Sequence, residues 1–410
     1  MTHQETVLAN GLTVVGEHND QAQSFAAGYF VNTGARDETS GNAGVSHFLE
    51  HMMFKGTSRR TAEDINREFD ELGARHNAYT SEDRTVYYGS VLPERAGELL
   101  DLLTDMMRPS LRSVDFELEK QVILEEIAMY EDRPNFRVFD EGNKVYFRNH
   151  PVGNSILGTR DSIEGLSIRQ MQRYHGSRYA PNNMIVAVAG AYDWGVIVEA
   201  LERLTVGWVP SHVTRSYPDL QPDEGDVTLF EDHLSRAHLA VYAPGVSAQD
   251  ERRYCAAVLA ACMGDVSGSR LYWSLVDQGL VDTATLSHDS ADGVGTFMGY
   301  LSTTPALLEE VRERLREDLL RFQAEGPTVE EWQRAQRKLA TVLTLGGETP
   351  FGRLMSLGSS YLYTWTYYRL EDALQKILAA RLEDGMDLLQ ARPFDALFTL
   401  SLGPDPSRKS

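Results

Sequence analysis

The segment Ser46–Phe54 carries residue types at a spacing that could bind a metal ion. It reads SHFLEHMMF, so that His47, Glu50 and His51 form the pattern H-x-x-E-H. On a helix that turns about 100° per residue, His51 lies roughly 40° to one side of His47 and Glu50 roughly 60° to the other. Two imidazoles and a carboxylate on one narrow face indicate a cation, and imidazole nitrogen suits Zn²⁺.

A catalytic zinc site takes three protein ligands and leaves one position open, so a third ligand is expected elsewhere. The segment FELEKQVILEEIAMYED offers Glu119 and Glu126, seven residues apart in a helical pattern. Apolar side chains flank both carboxylates on this predicted helix: Phe116, Val122, Ile123, Ile127 and Tyr130. A carboxylate in an apolar stripe is costly unless it is paired. Either Glu126 or Glu119 is therefore expected to meet the metal, whereas Glu125 projects about 100° away, into solvent.

Each half of this pattern has an ordinary structural alternative. A pair of histidines can be satisfied core residues, and a buried glutamate can pair with one of the 39 Lys and Arg residues. The two helices together, one with H-x-x-E-H and one with two carboxylates on its apolar face, favour the metal site.

Periodicity predicts the helices and strands that position these residues. The motif helix is predicted around 47–54, and its buried side chains are Val45, Phe48, Leu49, Met52 and Met53. Further helices are predicted over TAEDINREFDELGA, 96–107 and 116–132. The segment NAYTSEDRTVYYGSV predicts two strands around a polar turn, and MIVAVAGAY predicts another strand.

The length of 410 residues favours two domains of about 200 residues each. Between about 205 and 225 the periodic patterns stop and prolines cluster. We therefore predict an N-terminal domain over 1–208, a linker over 209–225 and a C-terminal domain over 226–410. The second half opens with the strand patterns VTLFED and HLAVYAP and a helix over 250–263, and AQDE at 248–251 echoes ARDE at 35–38, which favours duplication.

Composition limits the class of partner and compartment. A net charge of −21 disfavours nucleic acid and leaves basic or extended polypeptides as partners, although acidity also serves solubility. No apolar run approaches the roughly 18 residues of a membrane span, so a soluble protein without a membrane partner is expected. The N-terminal segment lacks a signal pattern, which favours the cytoplasm. Cys255 and Cys262 lie in an apolar stretch and are predicted to be reduced core residues.

The chain resembles the pitrilysin and insulysin superfamily of zinc peptidases, in particular the branch of mitochondrial processing peptidases and their bacterial relatives. The resemblance covers most of the chain, through NGLTVV, GYFVNTGARDE, AGVSHFLEHMMFKGT, NAYTSEDRTVYY, EKQVILEEIAMYEDRP and YAPNNMIVAVAG. Its specific motifs are HFLEHMMFKGT, which contains the inverzincin pattern, and the downstream E-x-x-V-x-x-x-E.

This resemblance implies an α+β fold of two related α/β domains, each with a mixed β-sheet and flanking helices, the second without metal ligands. It also implies one zinc ion per chain, with His47, His51 and Glu126 as ligands. Glu50 would be the general base, and Glu119 a catalytic group that orients water or a ligand.

The resemblance further implies a substrate edge and a partner. The strand NAYT is similar to the edge that receives the substrate as an added β-strand, which implies substrate binding by Asn77, Ala78 and Thr80; an ordinary strand end is the alternative. Self-sufficient relatives carry an Arg and, seven residues later, a Tyr that contact the substrate backbone. Val276 and Asp282 stand at roughly those places here, so a heterodimer with a homologous metal-free subunit that carries the Arg and Tyr is predicted.

The predicted function is that of a zinc metalloendopeptidase acting on peptides or unfolded polypeptides. The alternatives are a non-catalytic zinc-stabilised subunit or scaffold of a larger complex, and a hydrolase or binding protein that acts on something other than peptides. Glu50 weighs against the scaffold, because a structural zinc site does not need it. The aromatic run Tyr361–Leu370 is predicted to be core or interface, with chamber lining as the alternative, and Arg270 is predicted at a helix surface or interface.

Overall fold

The computed structural model describes residues 1–405, which form two compact units. Each unit is assembled from three separate stretches of the chain: Met1–Met129, Asn154–Tyr217 and Gly346–Tyr368 in the first, and Tyr130–Gly153, Pro218–Leu345 and the residues from Arg369 onward in the second. Residues 208–224 form neither helix nor strand. The division of the chain into 1–208, 209–225 and 226–410 stays a prediction about its two homologous halves.

The strands of residues 1–405 fall into two sheets. They are β1 (Thr2–Val7), β2 (Thr13–His18), β3 (Phe25–Val31), β4 (Arg75–Thr80), β5 (Thr85–Val91), β6 (Met184–Gly190), β7 (Gly225–Phe230), β8 (Ala237–Pro244), β9 (Val281–Ala291), β10 (Val294–Thr303) and β11 (Phe398–Gly403).

The α-helices of the same residues flank these sheets. They are α1 (Val45–Met52), α2 (Ala62–Glu71), α3 (Ala96–Met106), α4 (Ser113–Glu131), α5 (Pro134–Tyr146), α6 (Arg160–Gly165), α7 (Ile168–Arg178), α8 (Trp194–Leu204), α9 (Arg253–Gly264), α10 (Leu308–Glu325), α11 (Val329–Gly346), α12 (Pro350–Thr364), α13 (Leu370–Leu378) and α14 (Leu382–Gln390).

The sheet of the first unit has the order β1-β2-β6-β3-β5-β4. It is mixed, because β2 and β6 run parallel and the other neighbours run antiparallel. Helices α1 and α3 lie on one face, where the Tyr29 hydroxyl bonds to Thr104 of α3. Successive strand residues point to opposite faces, so the next residue, Phe30, packs against α12 on the other face. A Cβ on Gly358 of α12 would lie 2.3 Å from the Phe30 ring, so a glycine is required for this close approach.

The sheet of the second unit has the order β7-β11-β8-β10-β9 and is also mixed, with β7 and β11 parallel. One face packs against α9, α10 and α14, and the other against α5. The predicted α+β fold, with a mixed sheet and flanking helices in each unit, is confirmed. No helix within residues 1–405 is both long and apolar enough to cross a membrane.

Most of the predicted elements are confirmed, with one error of exposure. The five apolar side chains of the motif helix that were predicted to be buried are all buried. Glu125 is exposed, as predicted. Val122, which was predicted on the apolar face of α4, is 47% exposed; the buried stripe runs through Phe116, Glu119, Ile123 and Ile127 instead. Both cysteines are free and buried, as predicted.

Candidate active site

Helix α1 begins directly after Gly44, and the Glu38 carboxylate caps its N-terminus. The Gly44 N–H donates to Glu38 Oε2 at 2.6 Å, and the Ser46 N–H donates to Oε1 at 2.7 Å. These bonds satisfy amides that the first turn of a helix leaves free. Gly44 has a φ of +84°, and a Cβ there would lie 2.5 Å from the Leu157 carbonyl oxygen. The start of the motif helix is therefore fixed by a buried acid and a glycine.

The two motif histidines meet Glu126 of α4 at one point. Their rings lie one helical turn apart on α1, with centroids 4.7 Å from each other. His47 Nε2 is 3.7 Å and His51 Nε2 is 3.6 Å from Glu126 Oε2. Helix α1 thus supplies two nitrogen donors and α4 supplies one oxygen donor.

Glu119 lies two helical turns before Glu126 and orients His51. His51 Nδ1 is 2.8 Å from Glu119 Oε1, while Lys55 Nζ is 2.6 Å from Oε2. When Nδ1 of an imidazole donates its proton to a carboxylate, Nε2 keeps its lone pair. Glu119 therefore holds the His51 ring so that Nε2 faces Glu126.

The protonation states follow from burial and neighbouring charges. Burial, with a smaller contribution from His51, lowers the pKa of His47 to about 3, so this imidazole is neutral. Burial also acts to lower the pKa of His51, but the hydrogen bond to Glu119 and the nearby carboxylates raise it overall. Burial acts to raise the pKa of Glu119, yet bonds from His51 and Lys55 bring it below its ordinary value. The pKa of Glu126 is raised by burial.

Glu50 stands beside the donor group without belonging to it. Thr80 Oγ1 of β4 donates to Glu50 Oε2 at 2.6 Å. Burial raises the pKa of Glu50, and the bond from Thr80 opposes that shift. A fixed carboxylate of raised proton affinity, next to a group of metal donors, is suited to accept and return a proton.

The donor set fits a zinc ion. The ligand atoms of His47, His51 and Glu126 all lie within 4.8 Å of one another. Nitrogen and oxygen donors about 2.0–2.1 Å from one tetrahedral ion are separated by roughly 3.4 Å, close to the two separations from Glu126 Oε2. Within residues 1–405, His47 Nδ1 is buried without a hydrogen-bond partner from the protein.

Strand β4 carries the three residues predicted to bind substrate. It is the last strand of its sheet and pairs with β5 alone among the strands of residues 1–405. The Ala78 N–H donates to the side-chain oxygen of Asn77 at 2.9 Å, so this amide points to the open edge and not to β5. Asn77 is exposed at this edge, Ala78 is buried there, and the Thr80 hydroxyl is engaged with Glu50.

Two residues that build the site were not predicted from the sequence. Glu38 belongs to the segment ARDE, but its capping role depends on contacts six and eight residues along the chain. Lys55 lies four residues after His51, within HFLEHMMFKGT, but the sequence does not show that it pairs with Glu119. Elsewhere, Arg270 pairs with Glu331 at 2.8 Å, and Tyr361 of the aromatic run is a buried core residue, which agrees with the prediction that the run is core or interface.

Comparison with known proteins identifies the class. Residues 13–160 match the family Insulinase (Peptidase family M16), and residues 165–339 match the Peptidase M16 inactive domain. The chain is 31% identical to the uncharacterized zinc protease YmxG of Bacillus subtilis over 91% of each protein. It is 33% identical to an uncharacterized zinc protease of Mycobacterium leprae, over 99% of this chain and 92% of the relative.

Solved structures share the fold. A protease from Helicobacter pylori superposes with a TM-score of 0.89 at 20% identity, over 98% of this chain and 100% of the other. A putative M16-like peptidase from Alicyclobacillus acidocaldarius gives a TM-score of 0.87 at 22% identity, over 98% of both chains. The chain belongs to the insulinase family of peptidases, family M16, within the pitrilysin and insulysin superfamily.

Proposed function

We propose that the chain is a zinc metalloendopeptidase with one zinc ion held by His47, His51 and Glu126. The observation that carries the proposal is the meeting of these three donors beside Glu50, which is bonded to Thr80 and is not part of the donor group. A zinc ion bound there would lower the pKa of a water molecule and polarise the scissile carbonyl. The names of the relatives, zinc proteases, support the same activity.

The side chains of the site transfer the proton, hold each other in position and bind the peptide. Glu50 takes a proton from the attacking water and returns it to the departing amine. Thr80 holds the carboxylate of Glu50 in place, and Glu119 fixes the orientation of His51. The open edge of β4 binds the peptide as an added strand through Asn77 and Ala78.

The test uses a mixture of quenched fluorescent peptides and zinc analysis of each purified variant. Glu50→Gln is expected to retain zinc and to lose turnover, because the amide cannot take up the proton. His51→Ala and Glu126→Ala are expected to lose both zinc and turnover. Glu125→Gln is the matched control, because Glu125 is the exposed neighbour of Glu126, and it should retain both. Undiminished turnover in Glu50→Gln would contradict the assignment of the base.

We also propose that the chain acts as the catalytic subunit of a heterodimer. The second half has Val276 and Asp282 where self-sufficient members of the superfamily carry the Arg and Tyr that contact the substrate backbone. A homologous metal-free subunit would supply that pair. The measurement is turnover of the zinc-loaded chain alone and with such a subunit. Full turnover by the chain alone would contradict the heterodimer and still support the peptidase activity.

A zinc-stabilised scaffold is the second candidate function. A chain of complex III2 from Candida albicans superposes with a TM-score of 0.84 at 18% identity, so a component of a larger assembly shares this fold. Under this alternative, the folded zinc-loaded chain would cleave no peptide with or without a homologous subunit, and Glu50→Gln would change nothing. A cytoplasmic location stays a prediction.

A further inference from the structure

A cavity of about 770 Å³ lies at the start of strand β4, in the first unit. Its lining includes Arg75 and Asn77 of β4, Tyr88 and Ser90 of β5, and Phe351 near the start of α12. The volume is in the range of sites that bind small molecules or side chains. None of these residues except Asn77 has a role in the proposed chemistry.

The cavity opens on the face of the sheet that points away from the metal donors. Arg75 is paired with Ser90 and Asn77 with Tyr88, and side chains of paired strand residues share a face. Ala78 and Thr80 alternate with these residues and therefore point to the other face, where Thr80 bonds to Glu50. A peptide strand added to β4 would alternate in the same way, with every second side chain directed to the cavity face.

One part of the cavity wall is apolar and aromatic. The rings of Tyr88 and Phe351 lie 5.1 Å apart at 43°. Phe351 is 39% exposed and Leu92, also in the lining, is 57% exposed. Large apolar side chains that remain exposed in a concave site favour an apolar occupant.

Arg75 adds a cation at the rim. Its side chain is exposed and, within residues 1–405, it forms no ion pair. An arginine that is not held by a carboxylate can lie over the face of an aromatic ring. The rim is therefore compatible with an aromatic side chain and disfavours a basic one.

We propose that this cavity is a substrate subsite that takes an aromatic or large aliphatic side chain of the peptide strand paired with β4. The inference rests on the proposed function, because it needs the substrate at this edge. The occupant lies opposite Asn77 or Arg75, that is, three or five positions along the peptide from the residue opposite Thr80. Continuity between the open edge and the cavity favours a side chain of the bound strand over an unrelated small molecule.

The test is a positional scan of quenched fluorescent decapeptides in which one position at a time is Phe, Leu, Ala, Asp or Lys. The zinc-loaded chain, with its homologous subunit if one is required, is expected to prefer Phe and Leu about tenfold over Ala and Lys at one position distant from the cleaved bond. Phe351→Ala should reduce that preference at least fivefold. Phe136→Ala is the matched control, because Phe136 is similarly exposed, at 36%, and does not line the cavity; it should keep the preference.

The outcomes separate the subsite from the peptidase. Cleavage with no such preference, or with a preference that Phe351→Ala leaves intact, would overturn the subsite and leave the proposed function standing. If no preparation cleaves, fluorescence anisotropy of labelled Phe and Ala versions of one decapeptide with Glu50→Gln decides. One result is that Glu50→Gln binds the Phe version more tightly than the Ala version and loses this difference when Phe351→Ala is added. That result would support the subsite and contradict the proposed peptidase activity. Equal or absent binding of both would overturn the subsite too.

Discussion

Glu119 lies outside the group of three possible metal donors but contacts one of them, His51. Its two oxygens hold His51 Nδ1 and Lys55 Nζ, at 2.8 Å and 2.6 Å. Without the bond to Nδ1, we expect the ring of His51 to be free to turn away from Glu126. This change would alter the orientation of one imidazole and leave both helices in place.

We expect Glu119→Gln to weaken zinc binding by about 10–100-fold, the usual cost of losing a carboxylate that orients a metal-binding histidine. The measurement is competition for zinc with a chromogenic chelator at fixed pH. Glu117→Gln, on the exposed side of the same helix, serves as the control and should bind zinc like the parent chain. An unchanged affinity in Glu119→Gln would show that His51 is oriented by other contacts.

Glu38 should make the stability of the zinc-free protein depend on pH. Burial raises its pKa from an ordinary 4.5 to about 8, although the bonds from Ser46 and Gly44 act to lower it. Because the folded state holds the proton more tightly than the unfolded state, the free energy of unfolding falls as pH rises from about 5 to 8. In Glu38→Gln, which cannot ionise, this part of the fall should be missing. Urea unfolding of both proteins in a chelator at several pH values tests it, and parallel pH profiles would contradict it.

At the scale of elements, the sequence predicts what is local and periodic. Helices α1 and α4 and the β4–β5 pair follow from patterns within 20 residues, and H-x-x-E-H places its donors on one face without any distant contact. Glu38 and Lys55 could not be predicted, because their partners are common residue types brought together by the fold. The error at Val122 has the same origin: periodicity finds an apolar stripe but does not show where the neighbouring elements end.

Which sheet a helix covers is also beyond local periodicity. Helix α12 comes late in the chain, yet it packs against β3 and β6 of the first unit. A buried ion pair fixes it there: Arg353 donates to Glu17 of β2 at 2.5 and 2.6 Å, and Tyr367 donates to the same carboxylate. The two partners are more than 300 residues apart in sequence, so neither could be assigned to the other beforehand.

Arg353→Met should lower the free energy of unfolding of the chain by about 3–5 kcal/mol, because Glu17 would be left as a buried charge without its partner. The double variant Glu17→Gln/Arg353→Met should lose less, since it removes both charges. Arg381→Met breaks an exposed pair with Asp384 and should leave the urea midpoint unchanged. A loss in Arg353→Met no larger than in Arg381→Met would show that the buried pair is dispensable.

At the scale of the whole molecule, a net charge of −21 sets a preference among polypeptides. The field of the protein attracts basic chains and is screened within about 10 Å at 0.1 M salt. For the active preparation, cleavage of a peptide with four lysines should slow severalfold between about 50 and 500 mM NaCl, with the loss in kcat/KM. A neutral peptide with the same cleavage site should change little. Equal salt dependence of the two peptides would show that the charge of the protein does not affect substrate choice.

Each unit contains one helix that comes from the other half of the chain. Helix α5, from the first half, covers the second sheet, and α12, from the second half, covers the first. During translation, at about 5–20 residues per second, the face of the first sheet that carries Ala26, Phe30 and Ile185 is made long before residues 346–368 leave the ribosome. A nascent chain therefore exposes this apolar surface until residues 346–368 have been made. The unit that holds His47, His51 and Glu126 is thus completed by a segment made more than 200 residues after them.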